Sequence, residues 1–253
     1  MSTLGVLAFG DSITNGGGEL QWGVALQSWA LWVARGLGLP YTGHAVDGAQ
    51  ASDVLQRQIP AFLARTRDAA SARFDLGCLY IGVNDVRAVT WDAARFERDY
   101  GVALEFLHQR CGRVLTLTAP LDLGRPRAGA KVDELDRLIE RLAASTGALV
   151  LDLRAFGARN LVMADHVHPT AFGQIAIAER AIDVLAADGM RVAVRPSELI
   201  DYETTWWGRL RGDARYAYRH AKVSVRAAYI TARLRVGLGL GWGRGEGQGR
   251  GEK

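Results

Sequence analysis

Apolar positions over the first ~190 residues alternate between two patterns, short continuous runs and longer stretches at helical spacing. The short runs predict strands over 4–9, 41–45, 76–81, 114–118 and 149–153. Between and after them, helices are predicted over roughly 22–37, 51–66, 92–110, 130–146 and 171–187. The last is the best marked: Phe172, Ile175, Ala176, Ala178, Ile182 and Leu185 lie near one face, and Gly189 follows its end. Near-continuous apolar strands between helices predict an α/β fold in which a five-stranded parallel sheet is covered on both sides. Such sheets bind ligands where the strands end at their carboxyl edge. Gly10-Asp11-Ser12, Gly82-Val83-Asn84-Asp85 and Asp122 all fall just beyond an expected strand end.

The pattern changes after Pro196. Trp207, Leu210, Ala214, Ala217, Ala221, Val225, Ala228, Ala232 and Val236 form one helical stripe, and Arg211, Arg215, Arg219, Lys222, Arg226 and Arg233 form another. From Gly237 to Gly251 every second residue is glycine, a composition that cannot bury enough surface to order itself. The expected organisation is a globular domain over 1–196, a basic amphipathic helical extension over 197–236 and a disordered tail over 237–253. The extension suits a surface contact with a membrane or a protein through 206–236, with Trp206, Trp207 and Trp242 keeping a membrane in view. Packing of the alanine-rich stripe on the globular body with arginines in water, or a contact with a partner, is favoured over the membrane.

Composition adds limits. The chain has 253 residues, 49% hydrophobic and 23% charged, enough for one sizeable core. Residues 1–196 hold 20 Lys+Arg against 21 Asp+Glu, and 197–253 hold 11 against 6. The net +4 therefore resides in the extension and tail, and nucleic-acid binding is not expected of the body. No targeting or spanning segment is apparent, so the expected location is cytoplasmic, with the extension as a route to the membrane periphery. Cys78 and Cys111 have no Cys or His at ligand spacing and read as reduced core residues, one in a strand and one in a post-helix turn.

Some residues carry possible chemistry. A serine hydroxyl needs a neighbouring base to become a nucleophile. Ser12 stands at a strand end before Ile13-Thr14-Asn15-Gly16-Gly17-Gly18, a run able to turn sharply. Asp165 and His168 are close enough to share one turn, where a carboxylate can hold the tautomer of an imidazole. His166 is a rival base, less able to take the adjacent Asp165. Two histidines at this spacing without a third ligand do not call for a metal. His44, His108 and His220 read as structural or solvated. Donors for a developing oxyanion are Asn84, with its side-chain N–H, and Gly48, whose backbone can approach a ligand closely. Gly-x-Ser-x-Gly is absent, which disfavours a standard α/β-hydrolase elbow.

These residues resemble the SGNH hydrolases, or GDSL esterase/lipase family. The first block is matched by Gly10-Asp11-Ser12-Ile13-Thr14-Asn15-Gly16, the second by Ala45-Val46-Asp47-Gly48-Ala49, the third by Gly82-Val83-Asn84-Asp85 and the last by Asp165-His166-Val167-His168-Pro169. The second block departs most, with Gly43-His44 where the family often has Asn. The resemblance spans about residues 4–188. It implies a flavodoxin-like three-layer α/β/α sandwich, with catalytic Ser12, Asp165 and His168 and an oxyanion hole of the Ser12 N–H, Gly48 N–H and Asn84 side chain. It also implies a small-molecule acyl ester as substrate, an acyl-serine intermediate and no cofactor. An acyltransferase using the same acyl-enzyme, and a non-catalytic module working through the basic extension, remain alternatives. Segments 16–23 and 121–129 are expected to shape the pocket, and Trp22 and Trp91 to pack in the core rather than stack on a sugar.

Overall fold

The computed structural model describes residues 4–66, 71–202 and 204–241, with side chains through Arg233. Five parallel strands form one sheet: β1 (Val6–Gly10), β2 (Tyr41–Gly43), β3 (Phe74–Tyr80), β4 (Cys111–Leu117) and β5 (Leu149–Leu151), in the order β2-β1-β3-β4-β5. All of β1 and nearly all of β3 are buried, as strands covered by helices on both faces must be. The helices are α1 (Trp29–Leu37), α2 (Ala51–Asp53), α3 (Ile59–Arg65), α4 (Val83–Arg87), α5 (Ala93–His108), α6 (Lys131–Thr146), α7 (Ala171–Ala187) and α8 (Trp206–Gly241). α1 packs with α7 and α5 packs with α6, giving the two outer layers of an α/β/α sandwich.

Chain direction across the sheet reverses at β1: β2 lies on one side of it, while β3, β4 and β5 follow on the other. That order is the flavodoxin-like one, and the gap above β1 and β3 is where such sheets bind ligands. Gly10 pairs with Tyr80, so the segments carrying Ser12 and Asn84 leave the sheet at the same level.

Several boundaries differ from expectation for local reasons. The helix expected over 22–37 begins only at Trp29, where the Ser28 hydroxyl accepts from the Ala30 N–H (3.1 Å). Upstream, Trp22 and Gly23 adopt positive φ values of 47° and 79°, which no helix accommodates. The helix expected over 51–66 is interrupted by a π-helical turn, Val54–Gln58, between α2 and α3. Helix α4 was not foreseen. Cys111 opens β4 instead of lying in a turn, and both cysteines are buried free thiols. Helix α8 runs to Gly241, beyond the expected limit at Val236; the rest of the glycine-rich tail lies outside the described residues. Among the described residues no helix is long and apolar enough to cross a membrane.

Candidate active site

Strand β1 delivers the serine through a turn that is held from both sides. Gln58, buried on the π-helical turn, accepts from the Gly10 N–H (3.0 Å) and donates to the Gly10 carbonyl (2.8 Å). A Cβ on Gly10 would lie 2.5 Å from the Tyr80 carbonyl oxygen, so only glycine fits there. Asp11 then turns inward, 1% exposed, and accepts from the Ile13 N–H (2.9 Å). The Asn15 N–H donates to the Asp11 carbonyl (2.9 Å) and the Gly17 N–H to the Ser12 carbonyl (2.6 Å). With these backbone groups engaged, the Ser12 side chain is left half-buried at the rim.

Asp11 has a separate energetic signature. One oxygen has no hydrogen-bond partner among the described residues, and burial pushes the carboxyl up to about 7. Because the folded value lies above the ordinary 3.8, the stability contributed by neutral Asp11 is full below about pH 4 and lost as pH rises through about 7. Asp11→Asn cannot ionise, so its stability relative to wild type should improve between pH 4 and pH 8 by a few kcal/mol. Denaturant titrations at both pH values measure this, and a pH-independent difference would refute it.

The base comes from the loop before α7. One Asp165 oxygen accepts from the Val167 N–H (2.9 Å) and the His168 N–H (3.1 Å), and the other faces His168 Nδ1 at 2.7 Å. His168 Nε2 stands 2.9 Å from Ser12 Oγ, across 156 positions of sequence. Burial acts to raise the Asp165 carboxyl, but the hydrogen bonds from His168 and the two N–H groups outweigh it and hold it below its ordinary value. The hydrogen bond it donates to Asp165 raises His168 above the ordinary imidazole value, against the opposing effect of burial.

Serine and histidine loops are joined directly. Glu19 bridges Thr170, and the Ala171 N–H donates to the Glu19 carbonyl (2.9 Å). A Cβ on Gly18 would meet the Pro169 carbonyl oxygen at 2.0 Å, so the loops touch backbone to backbone. Gln174, fully buried on α7, donates to the carbonyls of Ile13 (2.9 Å) and Gly17 (3.1 Å) and accepts from the Trp29 N–H (2.8 Å). One side chain thus ties the serine turn to the helix that follows the histidine. Sequence reasoning missed both Gln174 and Gln58; the available signal was a long polar residue at an otherwise apolar helical position.

The remaining predicted residues approach from β2 and β3. Gly48 lies in a turn closed by the Ala49 N–H to the Val46 carbonyl (3.1 Å), with φ +74°. Gly82, at φ +119°, starts α4 and places Asn84 in its first turn. The Asn84 amide donates to the Ala49 carbonyl (3.0 Å), and Asp85 accepts from the Ala51 N–H (3.1 Å). Asn15 Nδ2 donates to Asp47 (2.9 Å), linking the serine turn to the Gly48 turn. His166 points elsewhere: its Nδ1 is 2.9 Å from Asp122, and Arg125 lies against the ring. The two imidazoles therefore have separate carboxylates. Segment 121–129 reaches the histidine loop through the Gly124 N–H to the His166 carbonyl (2.8 Å). Trp22 stacks on Tyr202, and Trp91 donates to Glu134 (2.8 Å) while packing near Phe96. His44 packs against Phe9 and Phe62.

Comparison with known proteins agrees with this architecture. Residues 8–175 match the model of the GDSL-like lipase/acylhydrolase family. No curated protein sequence matches the chain. Among solved structures, an acetylxylan esterase from Geobacillus stearothermophilus is 20% identical, with TM-score 0.55 over 73% of this chain and 96% of that one. Catalytic mutants of that esterase replace a serine in one case and a histidine in another by alanine. An extracellular lipase from Streptomyces rimosus is 21% identical, with TM-score 0.51 over 74% of this chain and 99% of that one. A fold shared at this level, joined to a family match across two thirds of the sequence, leads to one conclusion: the chain belongs to the GDSL-like lipase/acylhydrolase family and is a carboxylic ester hydrolase.

Proposed function

We propose that the protein cleaves small-molecule carboxylic esters through an acyl-serine intermediate, with Ser12 as nucleophile, His168 as general base and Asp165 as its orienting carboxylate. The observation that carries this reading is the alignment Ser12 Oγ–His168 Nε2 (2.9 Å) and His168 Nδ1–Asp165 (2.7 Å). With Nδ1–H donating a hydrogen bond to Asp165, the Nε2 lone pair faces the serine hydroxyl. Ser12 attacks the ester carbonyl as His168 takes its proton. The tetrahedral intermediate collapses as that proton passes to the leaving alcohol. Water, deprotonated by His168, then releases the acid and restores the serine.

The negative oxygen needs donors already in place. The Ser12 and Gly48 N–H groups have no protein acceptor among the described residues, and the Asn84 amide has one N–H beyond the one given to Ala49. We assign these three groups to the oxyanion hole. The acetylxylan esterase and lipase among the similar structures are in keeping with an acyl-ester substrate.

Asn84→Ala should lower kcat by about 10²–10³ with little change in KM, because its hydrogen bond strengthens as charge develops. Steady-state hydrolysis of p-nitrophenyl acetate reads this out. A kcat within about twofold of wild type would remove Asn84 from the oxyanion hole. The assignment of the nucleophile is tested by fluorophosphonate labelling, expected in the wild-type protein and absent from Ser12→Ala.

A further inference from the structure

We propose that the outer face of α8 docks on an anionic membrane surface. Among the described residues, the helix meets the body through one side only. Arg219 pairs with Glu19, the His220 ring lies 5.7 Å from His166, and Ala227 is buried. Arg159 pairs with Asp213 (2.6 Å) and lies over Tyr216. Contrary to the packing expected from sequence, Trp207, Leu210 and Val225 of the stripe point away from this contact, as do the neighbouring Tyr218 and Tyr229. Trp207 is 70% exposed, Tyr218 69%, Val225 71% and Tyr229 63%. At 100° per residue Trp207 and Val225 project in the same direction, with Tyr218 and Tyr229 within about 40° of it.

Charge identifies what covers that face. Between Trp206 and Arg233 there are seven Lys or Arg and one acidic residue, Asp213, which Arg159 already engages. Arg211, Arg215, Lys222 and Arg226 run beside the apolar stripe along a single flank, all exposed. Exposed Trp and Tyr suit the headgroup level of a bilayer, and a neighbouring cationic row suits its anionic lipids. The alanines that share the stripe (Ala214, Ala217, Ala221, Ala228 and Ala232) keep insertion shallow, consistent with a helix too polar to span. A second copy of the chain is a poor occupant, because pairing two such faces brings two cationic rows together. Docking would hold the catalytic rim near the lipid: Glu19, the partner of Arg219, is bridged to Thr170, two residues past His168. This inference rests on the geometry of α8 and is independent of the chemistry assigned to Ser12.

The test is sedimentation of the full chain with vesicles of phosphatidylcholine alone and with phosphatidylglycerol added. Binding is expected only with the anionic lipid and should weaken as salt rises. Reversing the exposed cations (R211E, R215E, K222E and R226E together) should lower partitioning on the order of a hundredfold or more. W207S combined with Y218S and V225S should also abolish it, through loss of the apolar contact. Both variants should retain p-nitrophenyl acetate hydrolysis, which reports an intact fold. Equal binding to both vesicle types, no binding to either, or undiminished binding by the charge-reversed protein would overturn the proposal. So would light scattering that shows a dimer lost in the triple serine variant, or capture of an oligonucleotide in place of anionic vesicles.

Discussion

Ser12→Ala is expected to lower kcat for p-nitrophenyl acetate by roughly 10⁴–10⁶ while leaving the thermal midpoint essentially unchanged. The two effects separate for a structural reason. The turn carrying Ser12 is held by backbone groups, through Gly17 to the Ser12 carbonyl, Asn15 to the Asp11 carbonyl, and Gln174 to Ile13 and Gly17. None of these bonds uses the serine hydroxyl, whose partner is His168 Nε2. Removing a half-buried hydroxyl at the rim opens no cavity in the core. His168→Ala should cost a similar factor, and the double variant little more than either single one, because a nucleophile and its base act as one unit. Multiplicative losses in the double variant, or more than about a tenth of wild-type kcat in Ser12→Ala, would refute the assignment.

Asp165→Asn should lower kcat by about 10⁴. The surrounding backbone dictates why. One Asp165 oxygen takes the Val167 and His168 N–H groups, and an asparagine must keep its carbonyl oxygen there. Its NH₂ then faces His168 Nδ1, which stands 2.7 Å from the second carboxylate oxygen in the wild-type protein. Two donors cannot face each other, so Nδ1 becomes the acceptor and the proton moves to Nε2. The lone pair that should receive the Ser12 proton is lost. The pH profile provides a second reading. Hydrolysis needs neutral His168, and the bond to Asp165 raises its titration above the ordinary imidazole value. The acid limb of kcat/KM in the wild-type protein should therefore lie above about 6.5, and residual activity in Asp165→Asn should show that limb moved downward. Asp122→Asn is the control, since Asp122 serves His166. A variant at position 165 with an unshifted limb and less than about a tenfold loss would remove Asp165 from the mechanism.

Much of this arrangement was legible from residue order alone because the physics involved is local. Continuous apolar runs such as the one ending at Gly10 have no stable place except inside a covered sheet. The ends of those runs locate the rim on which Ser12, Gly48 and Asn84 gather. Asp165 and His168 lie three residues apart, so a single turn brings carboxylate and imidazole together. Helix starts at Asp92 and Thr170 are likewise written in residues whose side chains accept from the first turn. Other features depended on distant partners. Gln174 and Gln58 have no special meaning until the serine turn and strand β1 pack against them. The late start of α1 reflects the positive φ values at Trp22 and Gly23, where Trp22 stacks on Tyr202 from the far end of the chain.

The amino-acid sequence by itself determined the alternation of strands and helices, the strand ends that carry polar groups, and the cationic character of the C-terminal helix. These follow from solvation and backbone preference, which act over a few residues at a time. Only the tertiary structure decided that Ser12 and His168 meet, that His166 turns to Asp122, and which side of α8 faces outward. Each depends on packing between segments far apart in the chain, where shape and hydrogen-bond partners select one arrangement among several that local pattern permits.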